Sequence, residues 1–152
     1  MKIKQEILMR SLDGYIVESN ALSDNELASI ASKALDDVYH YGAGTPGNTF
    51  GWKSSIKSAQ YGKAAINAGK NIEQISSAIH DGWNETAKEF VKNPEQFDDT
   101  AKLKADGKLE AKLAQREKLM KLNYSSLPEE EKEKDRVVAR ALYKAITGKV
   151  LK

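Results

Sequence analysis

Asn71–Val91 reads NIEQISSAIHDGWNETAKEFV. Asn71 is a helix N-cap, with Gln74 three residues on. Ile72, Ile75, Ile79, Trp83 and Phe90 mark one apolar face at helical spacing. Asn93-Pro94 closes the helix, because the residue before a proline disfavours helical backbone. Upstream, Ser23-Asp24-Asn25-Glu26 is a capping box. Leu27, Ile30, Ala31, Ala34, Leu35 and Val38 then recur as a stripe expected to be buried. That helix stops before the loop Gly42-Ala43-Gly44-Thr45-Pro46-Gly47, and Lys53 to about Ala68 reads as another, ended by Gly69.

Downstream, Asp98 to Leu122 is the most polar stretch, with a thin stripe of Leu103, Leu109, Leu113 and Met120. Gly107 weakens its middle by about 1 kcal/mol relative to alanine, so this helix is half docked or bent there. Asp98-Asp99 fits its N-terminus, and Ser126-Leu127-Pro128-Glu129 offers a cap and early proline for a last helix. Val138, Ala141, Leu142, Ala145 and Ile146 line that helix, and Gly148 stops it. Residues 2–12 read as helix or strand, and Tyr15, Ile16 and Val17 as a short β-like run. The expectation is a mainly α fold of about five helices, with room for a short β element near residues 14–18. Residues 1–47 form an N-terminal helical segment and glycine-rich loop, continuous with a helical region over 48–148.

The chain has 24 basic and 22 acidic residues, so a net charge of +2 gives no bulk attraction to nucleic acid or membrane. Cysteine is absent, which excludes disulfide scaffolds and thiol catalysis. The two histidines, His40 and His80, are far apart in sequence, so a histidine-rich metal site is not expected. No run approaches ~20 apolar residues, and the first twenty residues lack the apolar core of a secretory signal, so a cytoplasmic location is expected.

Several constellations merit weighing as sites. The glycine loop lacks a preceding apolar strand and a Gly-Lys-Ser/Thr ending, and reads as a connection rather than a P-loop. Asp36-Asp37 and Asp98-Asp99 are adjacent acids about 100° apart on a helix, too divergent for a general acid and base. Lys104, Lys108, Lys112 and Arg116 step by four as a basic patch. Such a row can follow phosphates, but Asp106, Glu110 and Glu117 lie close by, and a solvated face is the simpler reading. His80 and Trp83 share one helical side, where an indole face beside an imidazole could hold a planar ring or simply fill the core.

Two blocks carry a resemblance. The first is Ala78-Ile79-His80-Asp81-Gly82-Trp83, and the second runs from Tyr124-Ser125-Ser126-Leu127 through Asp135-Arg136. Together they resemble the RyR domain, the repeat named after ryanodine receptors, in its small bacterial and bacteriophage form. His80 and Trp83 match the His-x-x-Trp element; Tyr124, Leu127, Glu131, Lys132, Asp135 and Arg136 match the second. Phe50-Gly51-Trp52 through Ala68-Gly69 is similar to the segment upstream of that element, so the resemblance covers roughly residues 48–148. The family's Gly-Trp-x-Tyr-Gly turn and His-Pro step are missing from residues 84–123, where a lysine-rich helical stretch stands instead.

The resemblance implies a non-enzymatic module that binds a nucleotide-derived small ligand, with no cofactor. Trp83 would stack on the base, assisted by His80 and Tyr124, and Lys132 or Arg136 would face phosphate. If the chain is phage-encoded, it would act in the host cytoplasm by sensing or sequestering a signal nucleotide. The alternative is a protein-interaction module for a host factor, docking through the apolar stripe of residues 98–122. A third reading is nucleic-acid binding through the basic patch.

Overall fold

Ser23 opens α1 (Asp24–Tyr39) with the expected capping box: its hydroxyl accepts from the Glu26 N–H at 3.1 Å, and the Glu26 carboxylate accepts from the Ser23 N–H at 2.8 Å. The computed structural model describes residues 22–151. The segment 2–12 and the β element near 14–18 lie outside them. Within the described residues the chain forms six α-helices and no strand, so the mainly α expectation holds. α1 ends at His40, which takes a left-handed conformation. Leu27 and Ala31 of its stripe are buried, but Val38 is 53% exposed, beyond the reach of the core.

α2 (Phe50–Asn67) begins before Lys53, because the Thr49 hydroxyl accepts from the Trp52 N–H at 3.2 Å and starts the helix there. α3 (Ile72–Lys92) has a reciprocal cap between Asn71 and Gln74 and ends at Asn93. A 3₁₀ turn over Pro94–Gln96 leads to α4 (Thr100–Ala105) and α5 (Leu109–Met120). The stretch expected as one helix, half docked or bent near Gly107, is thus two. Gly107 takes a φ of +69°, and the Lys108 N–H donates to the Leu103 carbonyl, a helix stop rather than a bend. Asp99 stands at the N-cap position of α4, as expected, but its carboxylate makes no capping bond there and instead accepts from the Phe50 N–H at 3.3 Å, at the start of α2. α6 (Glu129–Thr147) follows a second 3₁₀ turn over Tyr124–Ser126. Ser126 is not its cap: Asn123 caps the turn, Pro128 precedes α6, and Glu129, Glu130 and Glu131 face the positive end of the helix dipole. α6 stops at Gly148 as expected.

Two apolar clusters organise the helices. Leu27, Ile75, Ile79 and Leu142 centre the first, joining α1, α2, α3 and α6. Phe50, Phe90 and Phe97 centre the second, with Trp83, Leu103, Leu109, Leu113 and Met120 packed on it. The apolar stripe of residues 98–122 is therefore occupied inside the molecule, which withdraws the feature that suggested a docking helix. α2 and α3 form the most extensive pairing. Small residues let them approach: a Cβ at Gly82 would stand 2.5 Å from the Lys57 carbonyl oxygen. Side-chain hydroxyls stitch the same seam, Ser58 to the Ile79 carbonyl at 3.2 Å and Thr86 to the Lys53 carbonyl at 3.4 Å.

Candidate binding site

The close α2–α3 seam fixes which side chains of α3 look away from α2. His80 and Trp83, three residues apart, look toward α5 and α6 and form one wall of a cavity of about 500 Å³. That size lies within the usual range of small-molecule sites, about 300–1,000 Å³. The other walls come from the α1–α2 connection, the start of α2, one face of α5 and one face of α6. Residues of both apolar clusters contribute, so the cavity lies where the two meet.

Trp83 is half-buried. The His80 ring lies parallel to it, at 6.1 Å between centroids and 10° between planes, and Phe50 meets it edge-on at 5.7 Å. Two of its neighbours are thus aromatic, and the ring is not fully sealed by its surroundings. His80 is buried. Its Nε2 lies 2.9 Å from the Leu122 carbonyl, which accepts a hydrogen bond and so fixes Nε2 as the protonated nitrogen. Nδ1 then faces Asp135, 3.8 Å away. Burial pushes the Asp135 carboxyl well above the usual carboxylate range; Glu131 and Asp81 add to the rise and Lys134 opposes it.

The cations arrive mainly from α5. The Arg116 guanidinium lies over the Phe50 ring at 3.5 Å and near the Phe90 ring at 4.4 Å. Burial pulls it down to about 10, with Asp99 opposing. Its Nη1 is buried without a hydrogen-bond partner. Lys112, one turn earlier, also lines the cavity, and burial lowers its pKa, with Arg116, Lys134 and Lys108 adding repulsion. Lys134, from α6, pairs with Glu131 at 3.0 Å.

The structure divides the sequence-derived residues. His80 and Trp83 line the cavity; Tyr124, Lys132 and Arg136 do not. The Tyr124 hydroxyl donates to Glu73 at 3.0 Å, and Arg136 binds Glu73 at 2.8 Å and Glu129 at 2.7 Å, clamping α3 to α6. These pairs lower the pKa of Glu73, through the Arg136 hydrogen bond first. Lys132 lies 3.9 Å from Glu129 and 5.7 Å from the Tyr124 ring, in the same clamp. Helical geometry explains the division: Glu131, Lys134, Asp135 and Val138 share the cavity face, while Lys132 and Arg136 share the next.

The basic patch also divides. The stop at Gly107 puts Lys104 on α4, where it pairs with Glu95 at 3.6 Å, and Lys108 at the start of α5. Only Lys112 and Arg116 reach the cavity, so no continuous four-residue row exists for a nucleic-acid backbone to follow. Trp52, which no local sequence signal singles out, is 4% exposed and contributes to the wall. The glycine loop folds back on α1, Gly42 N–H donating to Asp36 at 2.7 Å and Gly44 N–H to Ser32 at 2.6 Å. Those two amides are thereby unavailable to an anion, and Asp36 is engaged as a loop anchor. Among the described residues no cluster of three or more metal-ligating side chains occurs. No helix among them is long and apolar enough to cross a membrane.

Comparison with family models, with curated proteins and with solved structures finds no match for this chain.

Proposed function

We propose that the protein is a small non-enzymatic binding module whose cavity takes a nucleotide-derived ligand. The observation that carries this reading is the meeting, in one cavity, of a half-buried indole and an Arg116 guanidinium with an unpartnered buried N–H group. A planar base stacks on Trp83, and a phosphate accepts from Arg116 and Lys112, since guanidinium groups match phosphate oxygens in pairs. The likeness of the His80–Trp83 and Tyr124–Arg136 blocks to RyR domains supports the same reading. Arg116 and Lys112 replace Arg136 and Lys132 in the phosphate role, because the latter pair is engaged by Glu73 and Glu129. If the chain is phage-encoded, such a module would sense or sequester a signal nucleotide of its host.

Isothermal calorimetry of the wild type and Trp83→Ala against a nucleotide panel tests the proposal. A binding heat with the wild type that Trp83→Ala abolishes is expected. Absence of heat with every nucleotide would overturn the reading, as would a Trp83→Ala variant that binds like the wild type.

A further inference from the structure

We infer that the ligand of this cavity carries about two negative charges on one terminal group, as a nucleoside monophosphate does, rather than a polyphosphate chain. The inference rests on the binding reading above and follows from a charge inventory of the cavity wall. Lys134 is matched by Glu131 at 3.0 Å. His80 and Asp135 face each other at 3.8 Å. Burial disfavours the charged form of Asp135, so this pair is left out of the count of free charges. Two cations remain, Lys112 and Arg116. Among the described residues neither has a carboxylate within ion-pair distance. Asp99 acts on Arg116 only from farther off, and one of its oxygens already accepts from the Phe50 N–H.

The two cations are spaced i, i+4 on α5 and so lie on one face. Arg116 lies against the rings of Phe50 and Phe90, and its buried Nη1 has no hydrogen-bond partner. Burial is the main cause of the lowered Lys112 pKa, and an anion between the two groups offsets the repulsion from Arg116 that adds to it. A phosphate monoester carries about −1.5 to −2 near neutral pH, which matches this pair. A triphosphate brings further charge that no other unpaired cation of the wall, among the described residues, meets. Unmatched charge in a partly dry site opposes binding.

The test is calorimetry without divalent cations, using the nucleoside, the 5′-monophosphate and the 5′-triphosphate of each of the four common ribonucleotide bases. The expected order within the preferred base is monophosphate tightest, with both others weaker by roughly tenfold or more, as one lost charged hydrogen bond implies. Lys112→Met and Arg116→Met should each weaken the monophosphate by roughly 10- to 100-fold on the same grounds, while nucleoside binding changes little. Arg116→Lys keeps both charges, so it should bind more weakly yet retain the preference for monophosphate. That variant keeps the test decisive if Arg116→Met fails to fold. A triphosphate or a nucleoside that binds as tightly as the monophosphate would overturn the charge inventory and leave the nucleotide reading standing. No heat with any of the twelve compounds would overturn both.

Discussion

Replacing Gly82 with alanine adds one methyl group at the tightest point of the α2–α3 seam. The new Cβ would meet the Lys57 carbonyl oxygen at 2.5 Å, its carbon at 2.7 Å and the Ser58 nitrogen at 2.9 Å. All three are backbone atoms of a helix, so none can swing aside. Relief requires α3 to retreat from α2 by somewhat under 1 Å, the gap between 2.5 Å and ordinary contact at 3.4 Å. Overpacking of this kind costs about 1–3 kcal/mol. The retreat also stretches the Ser58–Ile79 and Thr86–Lys53 hydrogen bonds, already 3.2 and 3.4 Å, each contributing about 0.5–1.5 kcal/mol. Against this, alanine gains about 1 kcal/mol over glycine within a helix. The net expectation is a loss of about 2 kcal/mol, or a melting temperature roughly 4–8 °C lower for a chain of this size. Gly51→Ala is the control. It lies in α2 with nothing within 4 Å of its Cβ, so only the propensity gain of at most about 1 kcal/mol remains. Gly62→Ala should fall between them, because its Cβ meets side-chain tips, Leu142 Cδ1 at 2.9 Å and Ile79 Cγ1 at 3.1 Å. Thermal and urea unfolding followed by circular dichroism measure all three. A Gly82→Ala protein as stable as Gly51→Ala would refute the close backbone approach that sets the Trp83 wall.

Three further outcomes are expected. Asp135 has a folded pKa raised by burial, so its contribution to stability is present below about pH 4 and lost as pH rises through the folded value. Asp135→Asn should therefore match the wild type in urea midpoint at about pH 3.5 and exceed it at about pH 8; an advantage that shrinks with rising pH would mean an ionised Asp135 paired with a charged His80. Asn71→Ala removes the reciprocal cap of α3 and should lower unfolding free energy by about 1 kcal/mol, read from urea denaturation. Arg116→Met removes a partly buried guanidinium with no ion-pair partner among the described residues. Unfolding of the ligand-free protein should then show stability unchanged or higher by up to about 1 kcal/mol after allowance for solvent screening; a clear loss would assign Arg116 to the scaffold.

The helix ends were legible wherever their chemistry is local. The Ser23–Glu26 and Asn71–Gln74 boxes and the Gly148 stop each depend on a few neighbouring residues, and each is found as read. Gly107 was underread, because its propensity cost alone only weakens a helix, whereas its left-handed backbone ends one. The site was half legible. His80 and Trp83 could be placed on one side of a helix by spacing alone. Tyr124, Lys132 and Arg136 could not be separated from Glu131, Lys134 and Asp135 by a block of contiguous residues, since a helix turns neighbours to different faces. Arg116 looked like any member of a solvated row, and no local pattern announces that Phe50 and Phe90, far away in the chain, lie beneath it.

That long-range placement also explains why the cavity stays open. Two apolar clusters that meet directly would close against each other, since interiors pack densely and voids are costly. Here the ground between them is lined by groups that resist closure: Lys112, Arg116, Lys134, Glu131 and Asp135, with buried Ser54 and Ser58 on the floor of α2. Collapse would take Lys112 and Arg116 further from water, adding to the burial that already lowers both pKa values. The Gly107 stop separates α5 from α4, so α5 does not continue the direction of α4. The same residues that line the ground between the two clusters therefore include the two cations, Lys112 and Arg116, that an anionic ligand would meet.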